Sequence, residues 1–361
     1  MIEILKKRFW NWFIILLITF VILIFPVCAI CQNSTKNTSD DKKKIITTTT
    51  MLYDAVQHLL GNVDAEESKD YKKIANILCD KPLMGVGIDP HNYKTKLSDR
   101  MKIKTADLVI INGLHLEAKM IEAFELLKTN DQLWKAGEES LTEKDKIKEE
   151  NSQDCDPHIW FDIDLWKKVV LKLKDKLKSI IVKQTDKAKL EENCKLFLGS
   201  LDKLTKCINK EMISLKEEIE KKNNKLIIVT THDAFSYWQK FSKYKGIDFE
   251  LKSIQGVSTQ TEASMKDIIN LAEELTSNNV KTIFTESSMP KDYLQSLKET
   301  TDKLRLKKGL KPIKIPSDVE LYSDSLGSDD KQEEIEGSKY KHSTYVGAFL
   351  NNVKVIKGNL L

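Results

Sequence analysis

Six histidines occur among the 361 residues: His58, His91, His115, His158, His232 and His342. A neutral imidazole offers a nitrogen lone pair, which makes histidine the commonest transition-metal ligand near neutral pH. His91 and His158 each follow Asp-Pro, in Asp89-Pro90-His91 and Asp156-Pro157-His158. Proline fixes φ and donates no hydrogen bond, so it gives the next residue a defined loop geometry. The aspartate two positions back is available to hydrogen-bond nearby backbone or to orient a ring nitrogen. One Asp-Pro turn alone reads as an ordinary turn; two of them, each with a histidine next, suggest metal chemistry. His232 stands just past the apolar run Leu226–Thr230. All three histidines therefore end strands or open loops, and in open parallel sheets ligands bind at the carboxyl ends of strands.

The elements that must position these loops alternate in type. The β-branched run 45–51 reads as a strand, and Tyr53–Leu60 has helical spacing that Gly61 ends. Leu83–Ile88 reads as a short strand, Leu97–Lys104 as a helix, Asp107–Asn112 as a buried strand and Leu116–Thr129 as an amphipathic helix. Residues 137–156 are charged and lack any pattern, and 164–183 reads as a helix. After residue 222 the grammar restarts. Leu226–Thr230 is a strand, Glu262–Thr276 a helix, Thr282–Thr285 a strand ending at Glu286, and Ile313–Leu321 leads to Asp324; a last helix begins near Ser343. Strands alternating with helices predict parallel sheets covered on both faces. Between the halves, residues 186–222 contain no proline and one glycine, Gly199. Their stripe of Leu190, Cys194, Phe197, Leu201, Leu204, Ile208, Met212, Leu215 and Ile219 steps by three and four residues. That is one face of a helix roughly 55 Å long. It reads as a stiff spine between two lobes with the site in their cleft; a coiled-coil arm is the alternative.

Length fits about two domains. The 58 basic and 54 acidic residues are well mixed and leave a formal charge of +4, with no basic block of the kind that nucleic acid requires. Six scattered cysteines, Cys28, Cys31, Cys79, Cys155, Cys194 and Cys207, form neither a disulfide framework nor a close ligand pair, so free thiols are expected. Lys6, Lys7 and Arg8 precede the apolar stretch Phe9–Ile30, long enough to span a bilayer with the rest of the chain outside. A cleaved signal peptide and acylation at Cys31 or Cys28 are competing readings of residues 1–31. Residues 32–44 read as a polar tether, followed by lobes at 45–185 and 223–361 on either side of the spine.

Residues 84–120, MGVGIDPHNYKTKLSDRMKIKTADLVIINGLHLEAKM, resemble the first metal-binding segment of TroA-type receptors of ABC transporters. The resemblance spans nearly all of 45–361. It includes TTTM at 48–51, DPHIWFD at 156–162, THDAFSYW at 231–238, QGVSTQTEAS at 255–264, IFTESS at 283–288, LYSDSLG at 321–327 and TYVGAFLNN at 344–352. It implies two α/β lobes joined by one rigid helix. It further implies a divalent metal, zinc ahead of manganese, held by His91 and His158 from the first lobe with His232 and Asp324 from the second. Glu286 would sit behind a ligand, and His115, His58 and His342 would be bystanders. Segment 64–82 departs from the family pattern, and 137–156 lacks the histidine-rich run of many zinc-specific members. Cys155 lies in a loop, where ligation is not expected.

The implied partners are a membrane permease and its ATPase, with the membrane engaged through the N-terminal segment. Four ligands would close the coordination shell, which suits capture better than catalysis. A metal-dependent hydrolase or chelatase would need an open position and a general base, with Glu286 the candidate. A surface adhesin is a third reading. Metal capture needs neutral rings, so affinity is expected to fall below about pH 6.

Overall fold

A computed structural model describes residues 42–64, 69–149, 154–260 and 263–361. The expected leader or anchor at 1–31 and most of the tether at 32–44 lie outside these residues. Among the described residues no helix is long and apolar enough to cross a membrane.

The N-terminal half is built on four parallel strands in the order β2-β1-β3-β4: β1 Lys43–Thr47, β2 Ile77–Cys79, β3 Leu108–Ile111 and β4 Leu133–Lys135. β3 is buried at every position, as its unbroken Leu-Val-Ile-Ile run requires of a strand covered on both faces. Helix α1 (Thr50–Leu60) leaves β1 directly. Thr49 caps it by accepting from the Leu52 N–H, and Gly61 ends it at φ +68°. A side chain at Gly61 would also meet the Lys72 carbonyl at 2.4 Å, so glycine is required there twice over. Helices α2 (Leu97–Thr105), α3 (Ile121–Leu127) and α4 (Ala136–Ser140) follow, and α5 (Ile163–Ile180) opens on an Asp162 cap.

The expected strand at 83–88 is instead a run of turns, and the real edge strand is β2, inside the segment that departed from the family pattern. The Leu83 and Met84 N–H groups still reach the Thr47 and Thr48 carbonyls. Gly87, at φ +72°, then leaves the extended region. Within 137–156, part of which falls outside the described residues, α4 and a bridge between Lys148 and Cys155 give order where none was expected.

Helix α6, Gln184–Glu220, is the spine. All nine residues of its apolar stripe are buried within the chain, so the stripe packs inward rather than forming a dimer arm. The C-terminal half pairs β5 (Ile227–His232) with β6 (Glu250–Gln255) in parallel. The expected strand at 282–285 runs beside β5 through Phe284 N–H to the Val229 carbonyl and forms only isolated bridges, Thr282 with Lys314 and Glu286 with Leu321. Helices α7 (Ser236–Tyr244), α8 (Met265–Ser277) and α9 (Asp292–Lys307), a hairpin of β7 (Gln332–Ile335) and β8 (Ser338–Lys341), and α10 (Tyr345–Leu360) complete it.

One apolar cluster runs without interruption from α1 and α5 through the α6 stripe to α7 and α10. Two smaller clusters lie outside it: one under α8 and α9, the other against α2 and α3. Phe197 sits in the shared cluster, fully buried, with the His58 ring stacked on it at 4.1 Å. We expect Phe197→Ala to cost about 3–5 kcal/mol. Because both halves share this cluster, denaturant melts read on Trp166 and on Trp238 should shift together; separate midpoints would contradict a shared core.

Candidate metal centre

The ends of β1 and β3 carry the first half of the site. Glu117 is buried there, accepting from the Thr48 hydroxyl at 2.6 Å and from the Asn112 and Gly113 N–H groups at 2.8 and 3.0 Å. Asn112 in turn donates to the Pro157 carbonyl at 2.9 Å, which fixes the residue before His158. Both Asp-Pro-His motifs fold alike. Asp89 accepts from the His91 N–H at 2.8 Å and Asp156 from the His158 N–H at 2.9 Å. Asp156 also meets the His158 ring, at 2.7 Å from Nδ1.

In the C-terminal half β5 delivers His232. Glu286 Oε1 accepts from the Thr231 and His232 N–H groups at 2.6 and 2.9 Å, and its Oε2 stands 2.7 Å from His232 Nδ1. The last pair is an electrostatic contact, since neither atom has an aligned hydrogen-bond partner. Asp324 lies on a loop tied to the N-terminal half at three neighbouring residues. Trp160 donates to the Ser323 carbonyl, the Gly87 N–H to the Ser325 hydroxyl and the Leu326 N–H to the Thr50 hydroxyl, at 3.0, 2.9 and 2.8 Å.

These supports bring four side chains to one point. His158 Nε2 is 3.3 Å from both His91 Nε2 and His232 Nε2 and 3.2 Å from Asp324 Oδ1; His232 Nε2 is 3.3 Å from Asp324 Oδ2. All four residues offer ligand atoms within 4.8 Å of one another, and none is more than 2% exposed. The rings meet at 51–82°, tip to tip rather than stacked. A carboxylate only accepts, so a carboxylate against Nδ1 favours a proton there and leaves Nε2, once deprotonated, as the inward lone pair.

The family model described as "Zinc-uptake complex component A periplasmic" (ZnuA) matches residues 45–359. This chain belongs to that family. Among ZnuA relatives, "Zinc-binding protein TroA" of Treponema pallidum (strain Nichols) is 32% identical over 276 residues, 76% of this chain and 80% of its own length. "Manganese-binding lipoprotein MntA" of Bacillus subtilis (strain 168) is 30% identical over 275 residues, again 76% and 80%. The solved periplasmic zinc-binding protein TroA from Treponema pallidum superposes with a TM-score of 0.72 at 29% identity, covering 88% of this chain and 99% of that one. The two-lobed α/β architecture built on a long helix is thus that of the ZnuA family.

The four residues that the resemblance pointed to converge, with Glu286 directly behind His232. His115 is well exposed beside Asp154 at 3.5 Å, His58 is buried on α1, and His342 bonds the Tyr322 hydroxyl and Glu333; none belongs to the cluster. Cys155 also lies outside it, and the four cysteines among the described residues are free thiols. What the sequence reading missed is the support: Glu117, Asn112 and Ser323. Their signal lies in the motifs NGLHLE at 112–117 and LYSDSLG at 321–327, which follow strand-like runs.

Charge differs sharply between the rings. Burial holds His91 down to about 3. Burial also works against a proton on His158, but Asp156 and Asp324 outweigh it and push the ring up to about 9. His232 is raised well above the ordinary imidazole value, burial being overcome by Glu286 and Asp324. Burial would raise Asp324, yet His232 and His158 hold it well below the usual carboxylate range. In the metal-free protein, ring NMR titration should find His158 changing protonation near pH 9 and His91 neutral down to about pH 3. Asp156→Asn removes the leading upward cause and should lower the His158 midpoint; an unmoved midpoint would contradict this assignment.

Proposed function

We propose that the protein captures one divalent transition-metal ion, zinc or manganese, at the Nε2 atoms of His91, His158 and His232 and the carboxylate of Asp324. It then passes the ion to an ABC-transporter permease driven by a cytoplasmic ATPase. The lobes are 45–185 and 223–361, with the spine at 186–222. One observation carries the reading: four buried donors meet 3.2–3.3 Å apart along the four measured edges. Ligands at the usual zinc distances of about 2.0–2.1 Å lie about 3.3–3.4 Å from one another around a tetrahedral ion. Both Asp324 oxygens face the rings, so the carboxylate can bind with one atom or two and accept the higher coordination that manganese prefers. Donors that surround the ion leave no open position for a reacting water, which supports a carrier rather than an enzyme. Delivery outside the cytoplasm fits the relatives' periplasmic and lipoprotein descriptions, with residues 1–31 as leader or anchor.

Elemental analysis of purified residues 43–361 should return one zinc or manganese per chain, and His232→Ala should lose it while staying folded. Unchanged stoichiometry in that variant would remove His232 from the site. Metal at a hundredfold excess over Kd should stabilise the fold by about 2.7 kcal/mol.

Protons compete with the metal for His158 and His232. Since His158 keeps its proton up to about pH 9 in the metal-free state, binding at pH 7 should expel protons, up to about two. Affinity should therefore climb through the whole neutral range, beyond the pH 6 limit expected of free imidazole. Calorimetric titration in buffers of different ionisation enthalpy reads the released protons; zero release at pH 7 would contradict the assignment.

A further inference from the structure

His158 and His232 each have a carboxylate against Nδ1, but among the described residues no ion pair joins His91 to a carboxylate. The His91 loop is instead held from the opposite half. Thr259, on the turn after β6, donates its hydroxyl to Asp89 Oδ2 at 2.8 Å. Asn92 Nδ2 reaches the same Asp89 oxygen at 2.9 Å, and the Thr259 hydroxyl and carbonyl at 3.0 and 3.2 Å. Gln260 Nε2 donates to the carbonyl of His91 itself at 3.2 Å. Lys119 completes the clasp by donating to Asn92 Oδ1. Thr259 is buried in this contact, 7% exposed, while Val86 and Ile88 on the same first-half loop stand in solvent. β6 and α8 flank Thr259 and Gln260; Ile254, Ile268 and Leu271 nearest that turn pack into the outer apolar cluster, while Leu251 at the start of β6 touches the shared core.

We propose that Thr259 and Gln260 are positioning residues for the metal site, holding His91 in place across the cleft and so setting the rate at which the ion leaves. Three donors are fixed by the shared core or by buried carboxylates. The fourth depends on hydrogen bonds from a turn anchored elsewhere, so His91 is the ligand whose withdrawal opens the site. The proposal rests on the four-ligand reading above.

The test measures release of zinc into excess EDTA by stopped flow, in wild type, Thr259→Val, Gln260→Ala, the double variant and Thr259→Ser. Loss of these hydrogen bonds should speed release roughly tenfold in the double variant. Thr259→Ser, which keeps the hydroxyl, should stay within about twofold of wild type, and the metal-free melting temperature should not move. Release at the wild-type rate in the double variant overturns the proposal. So does fast release that Thr259→Ser shares, which would assign the effect to lost packing. A wild-type protein that holds neither zinc nor manganese, or a His232→Ala variant that holds zinc as well, sinks the four-ligand reading instead.

Discussion

Three imidazole nitrogens and a carboxylate, buried together at hydrogen-bond distance, cannot satisfy one another. A proton on one Nε2 can serve only one neighbour, and His158 Nε2 faces three. Without an ion the cluster compromises: His158 and His232 take up protons against Asp324, and His91 stays neutral because burial disfavours its charge. A divalent cation at the centre would answer every lone pair at once. The surrounding construction serves to hold these mutually unfavourable groups together, with Asp156 and Glu286 aiming the rings and Glu117 and Asn112 fixing the strand ends beneath.

Rigidity is distributed unevenly. The α6 stripe binds both halves into one apolar cluster, and buried Asn193 ties the same helix to the Leu59 and Lys72 carbonyls. Asp324 comes late in the sequence but is pinned to the N-terminal half at Ser323, Ser325 and Leu326. The segment with the least such support is the outer layer under α8 and α9, which has its own cluster. A long helix shared by both halves in one apolar cluster works against wide hinging between them.

Much of this was legible in the sequence because it is periodic or local. The spine was read to within two residues at either end from its three-and-four spacing, and β1, β3 and β5 from β-branched runs. The repeated Asp-Pro-His marks His91 and His158 by local sequence alone. Asp324 was not legible in this way: an aspartate near the end of a polar loop has no local signature, and only the resemblance marked it. The 83–88 error came from weighing apolar residues over Gly85 and Gly87. β2 was missed because three residues on a sheet edge leave almost no pattern. The short strand-like contacts at 282–286 and 313–321 are set by partners far away in sequence, which no window of residues contains.

Asp324 comes late in the polypeptide, after both parallel sheets and before the β7–β8 hairpin and α10. A fragment ending before Asp324 would therefore own the three rings but lack the one acid oxygen pair of the cluster. That oxygen pair keeps its place through the bonds of Ser323, Ser325 and Leu326 to the amino-terminal half, so the cluster is complete only with the carboxyl-terminal segment docked. The four-residue cluster is thus a property of the whole folded chain, and a truncation that spares all three histidines would still dismantle it.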